Sequence, residues 1–568
     1  MLIGLLAADA VAVHLPRWAV VAFAVALGVY LLVLAVLSVF AGRQVETEED
    51  YLVAGRKLPL YLCWATMIAT WFGAEAMTAA SENARQEGML GVVLDPLACA
   101  ATFLFAGWFF AAPLWRMKLV TTGDFFRRTY GSASEILSGC IQVPSYFGWI
   151  ALQYQALADV QLIYFGIPHR WGVLIAWGIT LVYTMIGGMW SVTLTESVQI
   201  VIALTGLVLL AGATFSQFGD GSVFAGVERL ITESDPAALT LVPPLATAAI
   251  LSYLGAWGTG IFGNIPGQDM QQRIFSARDE KTAVRACHLT GVTYFCFGML
   301  PVGLGLVSRI VMPDAPDTGI LQLMVSRYLS PAMSVFFMLS FTSMVISTST
   351  SAILAPATIL SHSLLGRIAV FRRQGLLLDR GSVFLISLGG LALTFLNQSK
   401  MQLLDLAISM TLVALFIPLW LGLYGRPRSE WSAILAMALG ISCFFIRWLP
   451  ENMLLVQPEE VRIVTGDQFE SVEYNDYVAW ERIDGFRFPR IGSENSPGST
   501  DNLPDTVLQR LSSSAGIVRG LLMIPADWYG VVASCFGYLI GQALFRKQAP
   551  INLQTRRDAW GAATGGIV

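Results

Sequence analysis

Met344-Val345-Ile346-Ser347-Thr348-Ser349-Thr350-Ser351 sits inside an apolar stretch covering 333–360. A stretch of that length crosses the hydrocarbon core of a bilayer as a helix. Five consecutive hydroxyl side chains at that depth are unusual, because hydrocarbon offers no water to satisfy them. On a helix, Ser347 and Ser351 stack at i and i+4, Ser347 and Thr350 at i and i+3, and Thr348 lies beside them. The stripe presents hard oxygens to one side, which suits a small alkali cation. The same hydroxyls also suit bonds back to i−4 carbonyls or across to neighbouring helices. This stretch alone leaves both readings open.

A second stretch bears on the choice. Met67-Ile68-Ala69-Thr70-Trp71-Phe72-Gly73-Ala74-Glu75-Ala76 lies in another membrane-length segment, 58–80. Glu75 is an ionisable group inside a span, which marks a functional site. Gly73 is a point where the helix can open and leave carbonyls free for an ion.

With these residues on the page a family resemblance emerges. Asp50-Tyr51-Leu52-Val53-Ala54-Gly55-Arg56-Lys57-Leu58-Pro59, followed by Ala69-Thr70-Trp71-Phe72-Gly73-Ala74-Glu75, resembles the start of the first core helix of the sodium:solute symporter family. Gly187-Gly188-Met189-Trp190-Ser191-Val192-Thr193-Leu194-Thr195-Glu196-Ser197-Val198-Gln199 is similar to that family's Gly-Gly-x-x-x-Val-x-x-Thr-Asp-x-x-Gln signature. Gln272-Arg273 matches a third motif, and Ser347-Thr348 falls where the family keeps its sodium-binding hydroxyl pair. The resemblance covers 45–425. It implies an all-α polytopic membrane protein with inverted five-helix repeats, whose first and sixth core helices are broken.

Bulk properties agree on the class. Hydrophobic residues make up 55% and charged residues 13% of the 568, and mean hydropathy is +0.62. That is a membrane protein. No basic patch tracks phosphates, so nucleic acid is excluded as a partner. The partners are the lipid bilayer and a small-molecule solute, and nothing fixes the oligomeric state. The seven cysteines are scattered, with no CxxC, so neither a disulfide framework nor a zinc site is expected.

Hydropathy predicts about thirteen transmembrane helices, near 18–40, 58–80, 92–115, 136–165, 171–186, 191–214, 245–263, 286–311, 333–360, 383–396, 403–424, 433–449 and 521–545. The symporter domain covers 1–449, with an extra N-terminal helix at 17–41, the inverted-repeat core at 58–424 and an additional helix at 433–449. A polar extracytoplasmic insertion follows at 450–519, with strand-like runs at Val461-Arg462-Ile463-Val464 and 474–480. The final helix and a short cytoplasmic tail take 520–568. Alternate short loops collect 21 Lys and Arg against 7 in the opposite set. The positive-inside rule then puts the N-terminus outside and the C-terminus in the cytoplasm of a plasma (inner) membrane protein. The segment 245–263, interrupted by Gly255, Gly258, Gly260 and Gly263, is the expected counterpart of the break at 69–75.

The resemblance implies a main sodium site made of the carbonyls of Ala69, Phe72 and Met344 and the hydroxyls of Ser347 and Thr348. Sodium is the coupling ion, and no organic cofactor is expected. Such a cation takes about five or six oxygens. Some family members hold a second sodium, which by resemblance would use Glu196, Ser347, Thr350 and Ser351; here Glu196 replaces an Asp. Its local sequence offers no basic partner, since no Lys or Arg occurs between Arg170 and Arg229. Substrate groups are expected from Trp71, Gly73, Glu75, Trp149, Trp257, Gly263 and Asn264. The Ala-Thr-Trp run and Trp149 resemble the choline-transporter branch, which binds a quaternary ammonium by cation–π attraction. That branch has a Trp where this chain has Gly267. Asp95-Pro96 reads as a helix-start cap.

An enzyme is not expected: four His and no HExxH, GxSxG or Walker pattern offer no catalytic centre. The expected function is sodium-coupled symport of a small organic solute by alternating access. The alternatives are proton coupling on the same fold, or a symporter-like membrane sensor without transport.

Overall fold

A bilayer's interior leaves every backbone N–H and C=O to find an internal partner, and this chain meets the demand with helices. A computed structural model describes residues 16–243, 247–316, 319–368, 371, 375–395, 400–425, 427, 429–449 and 524–545, with four strands between 461 and 490. The elements that position the site are α1 (Arg17–Gly42), α2 (Leu60–Trp71), α3 (Ala74–Glu87), α4 (Cys99–Phe109), α5 (Ser132–Phe165), α6 (His169–Phe218), α7 (Thr247–Gly258), α8 (Gln268–Ser276), α9 (Glu280–Val311), α10 (Pro331–Thr358), α11 (Leu376–Thr394), α12 (Lys400–Thr411), α13 (Ile417–Tyr424), α14 (Glu430–Leu449) and α15 (Ala526–Leu544). Among the described residues, eight helices are long and apolar enough to cross a membrane.

The hydroxyl-bearing α10 is the axis of the bundle. Every residue from Ser340 to Thr358 is buried, so each hydroxyl there needs a protein partner. Both uses weighed from the sequence occur together. Ser349 and Thr350 donate back along their own helix, to Val345 O at 2.6 Å and Ser347 O at 2.8 Å. Ser347, Thr348 and Ser351 point outward to other helices.

The first break separates α2 from α3. The α-helical ladder ends where Phe72 N–H reaches Ile68 O, and Phe72 leaves the helical region at φ −82°, ψ 69°. Gly73 N–H turns to Trp71 O instead of Ala69 O, which frees the Ala69 carbonyl. Gly73 has an ordinary φ of −100°; what it supplies is room. A Cβ there would stand 2.8 Å from Thr348 Oγ1 and 2.9 Å from Glu75 Oε2.

The second break is longer than the sequence suggests. α7 ends at Gly258, a wide turn covers Thr259–Gly263, and helix resumes only at Gln268. Its carbonyls are capped by side chains: Thr102 donates to Gly260 O at 2.8 Å and Thr411 to Gly263 O at 2.6 Å.

The spans expected at 171–186 and 191–214 form one helical element, α6, bent at Gly188, where φ is +51°. That left-handed backbone suits glycine. The Tyr51 ring packs against it, so any Cβ would clash, and Tyr51 OH donates to Thr184 O at 3.1 Å. Two motifs far apart in sequence therefore meet in one contact.

Two residues counted in the charge tally are not loop residues. Arg273 is fully buried. Arg85 is buried too, donating to Ser308 O, Pro313 O and Ala315 O. Both find partners that the chain brings from elsewhere. Arg372, Arg373, Arg426, Arg428, Arg546, Lys547, Arg556 and Arg557 lie outside the described residues. Most of the 450–519 insertion and of the C-terminal tail do as well. Within the insertion, Val461–Thr465 pairs antiparallel with Gln468–Val472, and Ala479–Ile483 with Phe486–Arg490.

Candidate functional site

A cavity of about 130 Å³ lies between the two breaks. Four aromatic side chains line it: Trp71 from α2, Tyr146 and Trp149 from α5, and Tyr294 from α9. Three carboxylates line it with them: Glu75, Asp95 and Asp269. Among the lining residues there is no Lys, Arg or His.

The acids and rings are paired. Asp269 accepts from Trp71 Nε1 and from Tyr146 OH, both at 2.5 Å. Glu75 accepts from Trp149 Nε1 at 2.6 Å and from Gln153 Nε2 at 2.7 Å. Asp95 accepts from Tyr294 OH at 3.0 Å. Each ring is thus held by its polar edge. These hydrogen bonds fix the orientation of each ring. An aromatic face attracts a cation, and nearby carboxylates deepen that attraction.

Gly267 explains the position of one acid. A Cβ on Gly267 would stand 2.6 Å from Asp269 Oδ1 and 2.9 Å from Asn264 O. A side chain there and the Asp269 carboxylate in its present place exclude one another. The missing Trp is therefore linked to an acid that the sequence reading passed over.

Of the expected substrate residues, Trp71, Glu75, Trp149, Gly263 and Asn264 line the cavity, and Gly73 forms its junction with α10. Trp257 does not line it. It lies on α7 ahead of the break and packs against Tyr253, with ring centroids 6.4 Å apart. Asp95 has the extended backbone of a residue ahead of a helix start, φ −142° and ψ 123°, but its carboxylate faces the cavity and accepts from Tyr294 OH. Asp95, Tyr146, Asp269 and Tyr294 are the functional candidates the sequence reading missed. For Asp95 the available signal was the same one that picked out Glu75, an acid at membrane depth; Asp269 lies between the predicted spans and gave no such signal.

The residues of the expected main sodium site gather beside this cavity. Ser347 Oγ and Thr348 Oγ1 both reach Ala69 O, at 3.1 and 3.3 Å. Phe72 lies at the break and Met344 is buried one turn before Thr348. The oxygens suit a small hard cation: one freed carbonyl and two hydroxyls converge, with Glu75 Oε2 on the other side of Gly73.

The second expected cluster is organised differently. Glu196 is fully buried and accepts from both Thr66 and Ser351. Arg273 Nη2 lies 3.8 Å from Glu196 Oε1 and donates to Ser351 Oγ. The basic partner absent from the local sequence comes from α8.

A polar cluster lies at the end of the bundle reached by the last turns of α10. His362 stands between Glu48, at 3.1 Å, and Asp124, at 3.3 Å. Burial by itself raises the Asp124 carboxyl. The His362 hydrogen bond and charge, with the Val120 and Thr121 amides, outweigh it and hold the acid below the usual carboxylate range. Glu48 is held low first by its His362 hydrogen bond.

Comparison with known proteins follows the same lines. The sequence profile of the Sodium:solute symporter family matches residues 51–440. A high-affinity choline transporter 1 of Drosophila melanogaster is 26% identical over 353 residues, 59% of this chain and 55% of that protein. The match thus spans about half the fly transporter's length. The osmoregulated proline transporter OpuE of Bacillus subtilis (strain 168) is 22% identical over 458 residues, 76% of this chain and 89% of that one. Among solved structures, a Na+-coupled sialic acid symporter in a substrate-bound outward-open state superposes with a TM-score of 0.62. It covers 91% of this chain and 96% of its own at 12% identity, a likeness of fold.

Proposed function

The chain belongs to the sodium:solute symporter family, and on that premise we propose that it imports a small organic cation by sodium-coupled alternating access. The cavity carries this reading: four ring-bearing residues and three carboxylates line it, with no basic side chain among them. A ring face and a carboxylate each favour positive charge. An anionic solute would find no basic side chain in this lining to pair with. The choline transporters among the relatives fit a quaternary ammonium of this class. A zwitterion such as proline would need a donor for its carboxylate, and the lining offers amides, hydroxyls and indole N–H groups for it but no cation.

Sodium binds at Ala69, Phe72, Met344, Ser347 and Thr348. Support comes from the freed Ala69 carbonyl and the two hydroxyls directed at it. Sodium stabilises the outward-open state, the solute closes it, and the site then opens inward. The basic-loop asymmetry supports a plasma (inner) membrane protein with its N-terminus outside.

Purified protein in liposomes tests the reading. An inward sodium gradient is expected to drive uptake of radiolabelled choline or a related ammonium, with proline and glucose far weaker. Uptake driven equally well by a proton gradient without sodium would overturn the coupling. Uptake of an anion or sugar in preference to every cation would overturn the solute class.

A further inference from the structure

We infer that Arg273 is a built-in cation occupying the second ion position beside Glu196, so that this chain carries one sodium per cycle. The inference rests on the sodium reading above and asks how many ions that reading involves.

The four residues that a second sodium would use are Glu196, Ser347, Thr350 and Ser351. In this chain they are engaged. Thr350 donates its hydroxyl back to Ser347 O at 2.8 Å. Ser351 donates to Glu196 and accepts from Arg273 Nη2. Ser347 is directed to Ala69 O, at 3.1 Å. The second oxygen of Glu196 accepts from Thr66. The carboxylate thus meets the hydroxyls of Thr66, Ser351 and Ser347 and, at 3.8 Å, a guanidinium.

Charge decides what this arrangement tolerates. A carboxylate with no exposed surface is either protonated or compensated by a positive charge close by. Arg273, equally buried, supplies it and cannot give it up by deprotonation. A sodium added to the same acid would set two positive charges against one negative charge, away from water. The guanidinium is also anchored from its other side: Nη1 donates to Asp269 O at 2.7 Å, one turn back on α8. A covalently attached cation does not leave during the cycle. It contributes the contact between α6, α8 and α10 that an ion would make, without entering the stoichiometry. The same helix places the Asp269 carboxylate in the cavity, so the tethered charge also steadies the solute site.

Equilibrium binding of radiolabelled sodium to purified protein in detergent tests this without relying on transport. Wild type is expected to bind one sodium per chain, and Thr348→Ala to bind it about tenfold more weakly. Arg273→Gln removes the tethered charge and is expected to bind two, with a Hill coefficient above one. Arg273→Lys keeps a cation and stays at one. Arg273→Gln combined with Glu196→Gln removes both charges and returns to one. Two sodium ions in wild type, or a single sodium whose affinity is unchanged in Thr348→Ala, would overturn the inference even if Arg273→Gln does not fold. So would a folded Arg273→Gln that binds one. A wild type that binds no sodium would fail the sodium reading itself, a separate and recognisable result.

Discussion

At the scale of single residues, the proposed ion and solute sites make separable predictions. Thr348→Ala removes one of few ion oxygens from a helix whose packing barely changes. The half-saturating sodium concentration should rise about tenfold, as expected for the loss of about 1–2 kcal/mol, while the amount of folded protein holds. An unchanged sodium dependence in vesicle uptake would remove Thr348 from the site. Asp269→Asn keeps the shape but weakens the bonds to Trp71 and Tyr146. A hydrogen bond to a charged group is worth about 1.5–3 kcal/mol, so solute affinity should fall roughly tenfold to a hundredfold. Sodium affinity without solute should change little. If calorimetry finds solute affinity unaltered, Asp269 is only a structural tie. These acids also mark where sequence reading stopped. Glu75 stood out because it interrupts an apolar run. Asp269 stands in the polar run Gln268-Asp269-Met270-Gln271-Gln272-Arg273, which looks like surface until the fold buries it. Asp95 precedes a proline and so looks like a cap.

At the scale of elements, the breaks were legible because Gly73 interrupts one membrane-length run and a glycine cluster interrupts the other. What they bring together was less so. The Ser347–Thr348 pair and the Ala69 carbonyl are nearly three hundred positions apart and meet at 3.1 and 3.3 Å. The motif resemblance anticipated that meeting, and no local periodicity contained it. Trp257 shows the converse: a break identified correctly does not fix which way its flanking rings face. The first break depends on Gly73 for space. Gly73→Ala would place a methyl group 2.8 Å from Thr348 Oγ1 and 2.9 Å from Glu75 Oε2. Overpacking of that kind costs about 1–3 kcal/mol. Because the strain acts on both neighbours, sodium and solute affinities should fall together. A Gly73→Ala protein that loses only one of the two affinities in parallel titrations would contradict this.

At the scale of the whole molecule, α15 lies beyond the stretch matched by the family profile, yet it reaches the core. Asp527 is near the start of α15, and its Oδ2 accepts from Thr259 Oγ1 at 3.2 Å, at the second break. Trp528 Nε1 donates to Leu251 O at 3.3 Å on α7. Asp527→Ala should therefore slow turnover and lower the melting temperature by a few degrees, the shift expected from about 1–2 kcal/mol in a large chain, with sodium affinity kept. A variant indistinguishable from wild type in both would make the α15 contact incidental. Gly73 has a consequence at this same scale. Its bare Cα stands between the Thr348 hydroxyl and the Glu75 carboxylate, so the proposed ion and solute sites would share a wall one atom thick. A ligand that moves this wall on one side would be felt on the other. Linkage is reciprocal: whatever factor sodium adds to solute affinity, the solute must return to sodium. The missing side chain at position 73 would then set the exchange rate between the two gradients.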